Sequence, residues 1–194
     1  RRDALEVTTT WCVDPQQRLL QVGLRLVNHG RRSLSLRLIG LVEWQMGASP
    51  ADRLTVHTAR HGELLTDEAA VHPGRPAAAS PGTRLTALLA TQLDHSAGFG
   101  GSTAFLGLIE PADPSDDRPE WTCDRREFFD ASGRVTLPDH FGQRAGGGLD
   151  PCAALSTTLS LMPGAHAERF FLLGHADDAA AARRLAAEAA ASTR

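Results

Sequence analysis

The sequence predicts an all-β antiparallel sandwich followed by a single C-terminal helix, on three observations. Apolar and polar residues alternate with a period of two over Leu5–Val13, Val22–Leu26, Leu34–Leu38 and Ala154–Leu161, the pattern of a half-buried strand. At least eight strand-like segments fall within one domain-sized chain of 194 residues, which makes two packed sheets the economical architecture. Helical composition is confined to the Ala-rich end of the chain.

Taken in order, Leu5, Val7, Thr9, Trp11 and Val13 form the first alternating segment, and Val22, Leu24 and Leu26 the second. The turn-forming Asn28-His29-Gly30 follows, and Leu34, Leu36 and Leu38 resume the pattern towards Val42 and Trp44. These two runs read as an antiparallel hairpin with one face buried. Further strand candidates are Leu54–His57, Arg84–Leu93, Ala104–Leu108, Glu120–Phe129 and Arg134–Leu137, with stronger ones at Ala154–Leu161 and Glu168–Leu173. Between them, Val71–Gly82 holds three prolines and two glycines and reads as a loop, because strand patterning resumes directly after it. Pro163-Gly164 turns the strand at Ala154–Leu161 into the next. At the end, Asp177 is placed to cap a helix over Asp178–Ala191 that carries Arg184 four residues before Glu188.

Composition excludes several functions. All 20 basic residues are Arg, so Schiff-base chemistry and a phosphate-loop lysine are absent from this chain. A net charge of −3 with scattered arginines argues against a nucleic-acid partner. No run approaches the roughly 20 apolar residues that span a bilayer. Cys12, Cys123 and Cys152 are odd in number and far apart, which suits a reducing compartment better than a disulfide framework. The chain starts Arg-Arg-Asp without Met and reads as a piece of a longer polypeptide.

Candidate chemistry is sparse. His57 and His61 have the spacing of helical zinc ligands, but in a strand four residues span about 13 Å, too far for one metal. Ordinary exposed histidines are therefore expected. Gly98–Ser102, "GFGGS", lacks a following helix or Lys and reads as a hairpin tip rather than a phosphate cradle. Cys152 has no sequence neighbour that would activate it, so a buried structural thiol is expected. No Gly-x-Ser-x-Gly elbow occurs. Glu110, Asp113, Asp116, Asp117, Glu120, Asp124 and Glu127 offer many acids without singling out the pair at fixed separation that glycoside chemistry needs.

The richest segment is "PEWTCDRREFF", Pro119–Phe129. Flat apolar rings beside hydrogen-bonding groups suit the mixed apolar and hydroxylated faces of sugars. As a strand it would place Trp121, Arg125, Glu127 and Phe129 on one face and Asp124, Arg126 and Phe128 on the other. An edge strand with Arg–carboxylate pairs is the plainer reading of these residues, and a sugar-binding surface the alternative. The glycine-rich Gly146–Asp150 reads as a structural corner before a strand, with Asp150 either capping that corner or facing a sugar cleft.

Four ordered motifs carry a family resemblance: "TCDRREFF" (Thr122–Phe129), Leu137-Pro138, "GGGLDPCAAL" (Gly146–Leu155) and "LMPGAHAERFFLLGHA" (Leu161–Ala176). Together with "RLVNHGRRSLSLRLIGLVEW" (Arg25–Trp44), they closely resemble the amino-terminal sandwich domain of glycosyltransferase family 36, now grouped with glycoside hydrolase family 94. The Asp150-Pro151-Cys152-Ala153-Ala154 form is most similar to the cyclic β-1,2-glucan synthase branch. The resemblance implies a β-supersandwich of the galactose-mutarotase-like type over residues 1–176, and a terminal helix, 177–194, leading to a linker and a catalytic barrel beyond Arg194. It implies no catalytic residue, cofactor or metal in this chain. It also implies a role in framing the cleft of an enzyme that acts on β-glucans or gluco-oligosaccharides. Inorganic phosphate would enter only through the barrel, subunit contacts allow a homodimer, and the branch points to the cytoplasmic side of an inner-membrane-associated parent. Candidate carbohydrate-binding residues are Trp121, Asp124, Arg125, Glu127, Phe128 and Asp150. One departure stands out: relatives continue the aromatic pair with Gly-Arg, where this chain has Asp130-Ala131. A stand-alone glycan-binding module and a mutarotase- or epimerase-like enzyme are the alternatives.

Overall fold

The computed structural model describes residues 4–65, 82–112 and 119–193. The loop expected at Val71–Gly82, save its last residue, and the acidic Asp113, Asp116 and Asp117 lie outside the described residues. The strands are β1 (Leu5–Val13), β2 (Leu19–Asn28), β3 (Leu34–Glu43), β4 (Val56–Leu65), β5 (Thr83–Gln92), β6 (Thr103–Pro111), β7 (Glu120–Asp124), β8 (Pro151–Leu161) and β9 (His166–Ala176), followed by helix α1 (Ala179–Ser192). They form a six-stranded sheet in the order β1-β2-β9-β6-β5-β4 and a three-stranded sheet in the order β3-β8-β7. Every strand pairing is antiparallel, which agrees with the all-β sandwich expected from the alternation.

The period-two pattern sorts residues between layers. Leu106, Leu108 and Phe171 of the large sheet meet Ala153 and Leu155 of the small one in the intersheet core. Their sequence neighbours Phe105, Ile109 and Leu172 point the opposite way, under Ala182, Ala186, Ala189 and Ala190 of α1. With both faces covered, β5 and β6 are buried almost throughout, so their apolar runs are nearly continuous rather than alternating. The sheets approach closely at Gly40 of β3, where an added Cβ would lie 2.5 Å from the Phe171 ring. The outer face of the small sheet is covered in turn by Phe128 and Phe141 over Cys152 and Ala154.

The expected β2–β3 hairpin does not form. Both edges of β2 are taken, by β1 and β9, and β3 pairs with β8. The apolar faces still meet, but by stacking: Leu26 packs in one cluster with Leu34, Leu36 and Leu38. The chain therefore changes sheet at residues 29–33, and it changes back between β8 and β9. Asn28, with no exposed surface, holds both crossings. Its Nδ2 donates to Arg32 O and Leu161 O, each at 2.9 Å, and its Oδ1 accepts from Gly30 N at 2.9 Å. Its backbone N–H donates to Ala165 O and its carbonyl accepts from Gly164 N.

Four smaller expectations change. The segment Leu54–His57 splits into a 3-10 turn (Pro50–Thr55), capped by Ser49, and the start of β4. Arg134–Leu137 is no strand: it contributes one isolated bridge, Val135 to Phe129, with Val135 80% exposed. The helix is capped by Asp178, whose side chain accepts from Ala181 N at 2.7 Å, while Asp177 pairs with Arg18 instead. β1 forms as an edge strand, but the half-buried face expected from its alternation is not covered by the described residues: every residue after Leu5 is exposed, Val7, Trp11 and Val13 included. The "GFGGS" run does close the β5–β6 hairpin, and an added Cβ at Gly100 would collide with the His95 backbone.

Asn28→Ala removes three side-chain hydrogen bonds and orphans the buried carbonyl of Leu161. At about 1–3 kcal/mol for each buried group left unsatisfied, the variant is expected to lose roughly 2–4 kcal/mol of unfolding free energy in urea titration.

Candidate functional site

The six candidate residues converge at one end of the small sheet, where β7 runs beside β8. Pairing proceeds from Glu120↔Ser156 through Thr122↔Ala154, then shifts register so that Asp124 faces Pro151. The strand expected through Phe129 stops at this irregularity. Asp124 Oδ1 accepts from the backbone N–H of Arg126 at 3.2 Å, and the chain coils into a 3-10 turn over Arg125–Phe128. Arg125, Glu127 and Phe129 therefore do not share the strand face of Trp121. That residue packs half-buried on the intersheet core, with the Arg60 guanidinium 5.6 Å from the centre of its ring.

The charges pair with one another. Asp124 is wholly buried, and it accepts from Arg126 Nε at 2.8 Å and Nη2 at 2.7 Å, with Arg144 Nη1 at 3.0 Å. Burial works against this charge, but the hydrogen bonds from Arg126 and the positive charges of Arg126 and Arg144 outweigh it and hold the carboxyl below its usual range. Asp150 accepts from Arg53 Nη2 at 2.6 Å on one oxygen and Arg125 Nε at 2.7 Å on the other. Arg125 in turn lies 4.9 Å from the centre of the Phe129 ring and 3.5 Å from Glu43. Glu127 accepts from Thr122 Oγ1 at 2.7 Å and from Gly142 N at 2.8 Å. Phe128 is buried edge-on against Phe141, the ring centres 5.4 Å apart.

This arrangement clamps the segment between β7 and β8 onto the sandwich. A general acid for glycoside cleavage needs a carboxyl whose pKa is raised. Asp124 is moved the other way, and the two oxygens of Asp150 are each occupied by a guanidinium. The glycine-rich corner belongs to the same clamp. Gly146 exchanges both backbone hydrogen bonds with Thr58 of β4, at 3.0 and 2.9 Å, tying the β7–β8 connection to the large sheet. Gly146 and Gly148 have φ of 125° and 73°, conformations that favour glycine. Asp150 thus serves the corner, and what remains accessible on this rim is the part-exposed Trp121 ring, Arg60 and the half-exposed Arg126 and Arg144.

Sequence reasoning missed Arg53, Arg60 and Arg144, which complete the cluster. Arg53 lies 97 positions from Asp150, and no local spacing links them. The only available signal was that every basic residue is Arg, the side chain suited to bidentate carboxylate pairing.

Two of the three thiols are inert by location. Burial, with a smaller push from the charge of Glu127, raises Cys123 to about 12 against an opposing hydrogen bond with Thr58. Burial, Cys123 and nearby carboxylates move Cys152 upward as well. Cys12 is exposed. Native protein is therefore expected to react with one equivalent of a thiol reagent, and unfolded protein with three.

A second expectation follows from Asp124. Its folded pKa lies below its unfolded one, so the ionised form stabilises the fold at and above an ordinary carboxylate pKa of about 4. That contribution disappears as pH falls through the folded value. Asp124→Asn is expected to be less stable than wild type at pH 7 and to lose stability less steeply below pH 4. Parallel acid-unfolding curves for the two proteins would contradict this.

Comparison with curated proteins finds no match. A family described as glycosyl hydrolase 94, supersandwich domain, matches residues 1–192, nearly the whole chain, and the observed antiparallel sheets with one terminal helix agree with that description. The supersandwich is the non-catalytic part of glycosyl hydrolase 94 enzymes, in keeping with a rim whose Asp124 and Asp150 are held by arginines. The chain belongs to the glycosyl hydrolase 94 supersandwich-domain family.

Proposed function

We propose that this chain is the sandwich domain of a cyclic β-1,2-glucan synthase or a related β-glucoside phosphorylase, where it frames the sugar cleft and takes part in subunit contacts. The catalytic acid and the phosphate site then belong to a separate barrel in the same protein. The observation that carries this reading is the arginine clamp around Asp124 and Asp150. It presents guanidinium edges and the Trp121 ring on a rigid rim, while leaving these two carboxylates no freedom to act as acid or base. Rings that stack on sugar C–H faces, flanked by donors for hydroxyls, are the usual elements of carbohydrate recognition.

Calorimetric titration of the chain with β-1,2-linked gluco-oligosaccharides is expected to give weak saturable binding. Trp121→Ala, checked for folding by circular dichroism, should weaken it about fivefold to tenfold, the effect of removing one aromatic anchor worth somewhat over 1 kcal/mol. Phosphorolysis, or acceleration of anomer exchange by the chain alone, would overturn the non-catalytic reading. Binding unchanged in Trp121→Ala would remove this rim from the cleft.

A further inference from the structure

Strand β1 pairs with β2 along one edge and ends the six-stranded sheet. The register fixes where its remaining backbone groups point. His29 N donates to Ala4 O at 2.7 Å, so Ala4 and His29 form a hydrogen-bonded pair one step before Leu5↔Asn28. In an antiparallel ladder such pairs alternate with pairs whose N–H and C=O groups point away from the partner. Leu5, Val7, Thr9, Trp11 and Val13 therefore turn their donors and acceptors outward, and among the described residues no strand pairs with that edge. Thr83, which closely follows the undescribed residues 66–81, lies on β5, four strands and about 19 Å from β1. Pro111, shortly before 113–118, ends β6, three strands and about 14 Å away.

The residues with outward backbone also share one side-chain face. Trp11 on that face is 67% exposed, and Val7 and Val13 are exposed with it. A bare edge is a template for another strand, and proteins usually guard one with Lys, Pro, a bulge or an inward charge. β1 contains neither Lys nor Pro and keeps an unbroken register with β2 from Leu5 to Val13. Its one charge, Glu6, is held by His29 at 2.8 Å. The far edge of the same sheet offers no matching surface, because Gly146 bridges to Thr58 of β4 there.

Turned about a two-fold axis at Thr9, the strand complements itself. Thr9 then faces Thr9, Val7 faces Trp11 and Leu5 faces Val13 of a second copy, so each facing pair can exchange both ladder hydrogen bonds. Thr against Thr and an aromatic against a β-branched residue are favourable cross-strand pairs. Glu6 falls opposite the neutral Cys12. An axis at Thr10 would instead set Glu6 against Asp14, and one at Thr8 would leave Val13 with no facing residue in the strand. We infer that β1 is a dimerisation edge, where two copies of this chain join antiparallel about Thr9 into one continuous sheet. The inference rests on the subunit-contact part of the proposed function and gives that contact its place. The sugar cleft stands or falls separately, by titration.

The test is sedimentation equilibrium of the chain over a micromolar-to-millimolar range, with cross-linking to fix the register. A monomer–dimer equilibrium is expected. Thr9→Pro removes an outward N–H and leaves the bonds to β2 in place, and Trp11→Lys puts a charge on the edge. Each, provided its circular dichroism matches that of the unmodified chain, should weaken association about tenfold or more. In a Cys12→Ser background, Thr9→Cys meets itself across the axis at a Cα separation of about 5.5 Å, which a disulfide accepts. It should oxidise to a covalent dimer much faster than Leu54→Cys, at an exposed position in the turn before β4. A chain that stays monomeric throughout, a dimer unaffected by both Thr9→Pro and Trp11→Lys, or cross-linking by Thr9→Cys no faster than by Leu54→Cys overturns the proposal.

Discussion

One buried side chain controls how the chain divides between two sheets. Asn28 sits where β2 ends, and its amide and backbone satisfy groups in two of the four segments that cross between the layers, the one at residues 29–33 and the one between β8 and β9. A backbone leaving a sheet inside the molecule exposes polar groups that water cannot reach, and each is costly unless bonded. A single amide with two donors and one acceptor meets three of these needs at once. The stacking of Leu26 on Leu34, Leu36 and Leu38, and the close approach of Gly40 to Phe171, both follow from that corner.

At the opposite end of the small sheet, charge does what Asn28 does by amide bonding. Arg53 from the turn before β4 and Arg125 from the turn after β7 meet on Asp150, and Gly146 pairs with Thr58 across the layers. The small sheet is thereby fastened to the large one through its longest connection. Pairs of this kind add little when fully exposed. Here the carboxylates are mostly or wholly buried, so breaking one leaves a charge stranded in a poor solvent. The same feature explains the chemical character of the rim. Asp124, engaged in holding the fold, is kept ionised by Arg126 and Arg144, and both oxygens of Asp150 are taken up by Arg53 and Arg125.

The molecule is uneven in how it covers its sheets. Alanine-rich α1 lies flat over β5, β6 and β9, because small side chains on one helix face allow close approach to Phe105, Leu85 and Leu172. Among the described residues the edge strand β1 has no such cover, and its apolar side is exposed at Val7, Trp11 and Val13.

The sequence by itself determined most of the strands, the all-β class, the terminal helix and the structural nature of Cys152 and the Gly146–Asp150 corner. These depend on local alternation, turn chemistry and backbone permissiveness, which are written in neighbouring residues. It misplaced the partner of β2, because an alternating strand buries its apolar side equally well against a hairpin neighbour or a stacked sheet, and only the competition of β1 and β9 for the edges of β2 decides between them. It carried Glu120–Phe129 through as one strand, because the break depends on Asp124 turning its carboxylate back onto Arg126 and on Arg144 arriving from a later loop. The candidate rim was half legible: Trp121, Asp124, Arg125 and Asp150 stood out by type, while Arg53, Arg60 and Arg144 did not. Whether a carboxylate is free or neutralised depends on which cation lies a few ångströms away, and for Asp150 that cation comes from 97 positions distant, so tertiary structure alone could settle it.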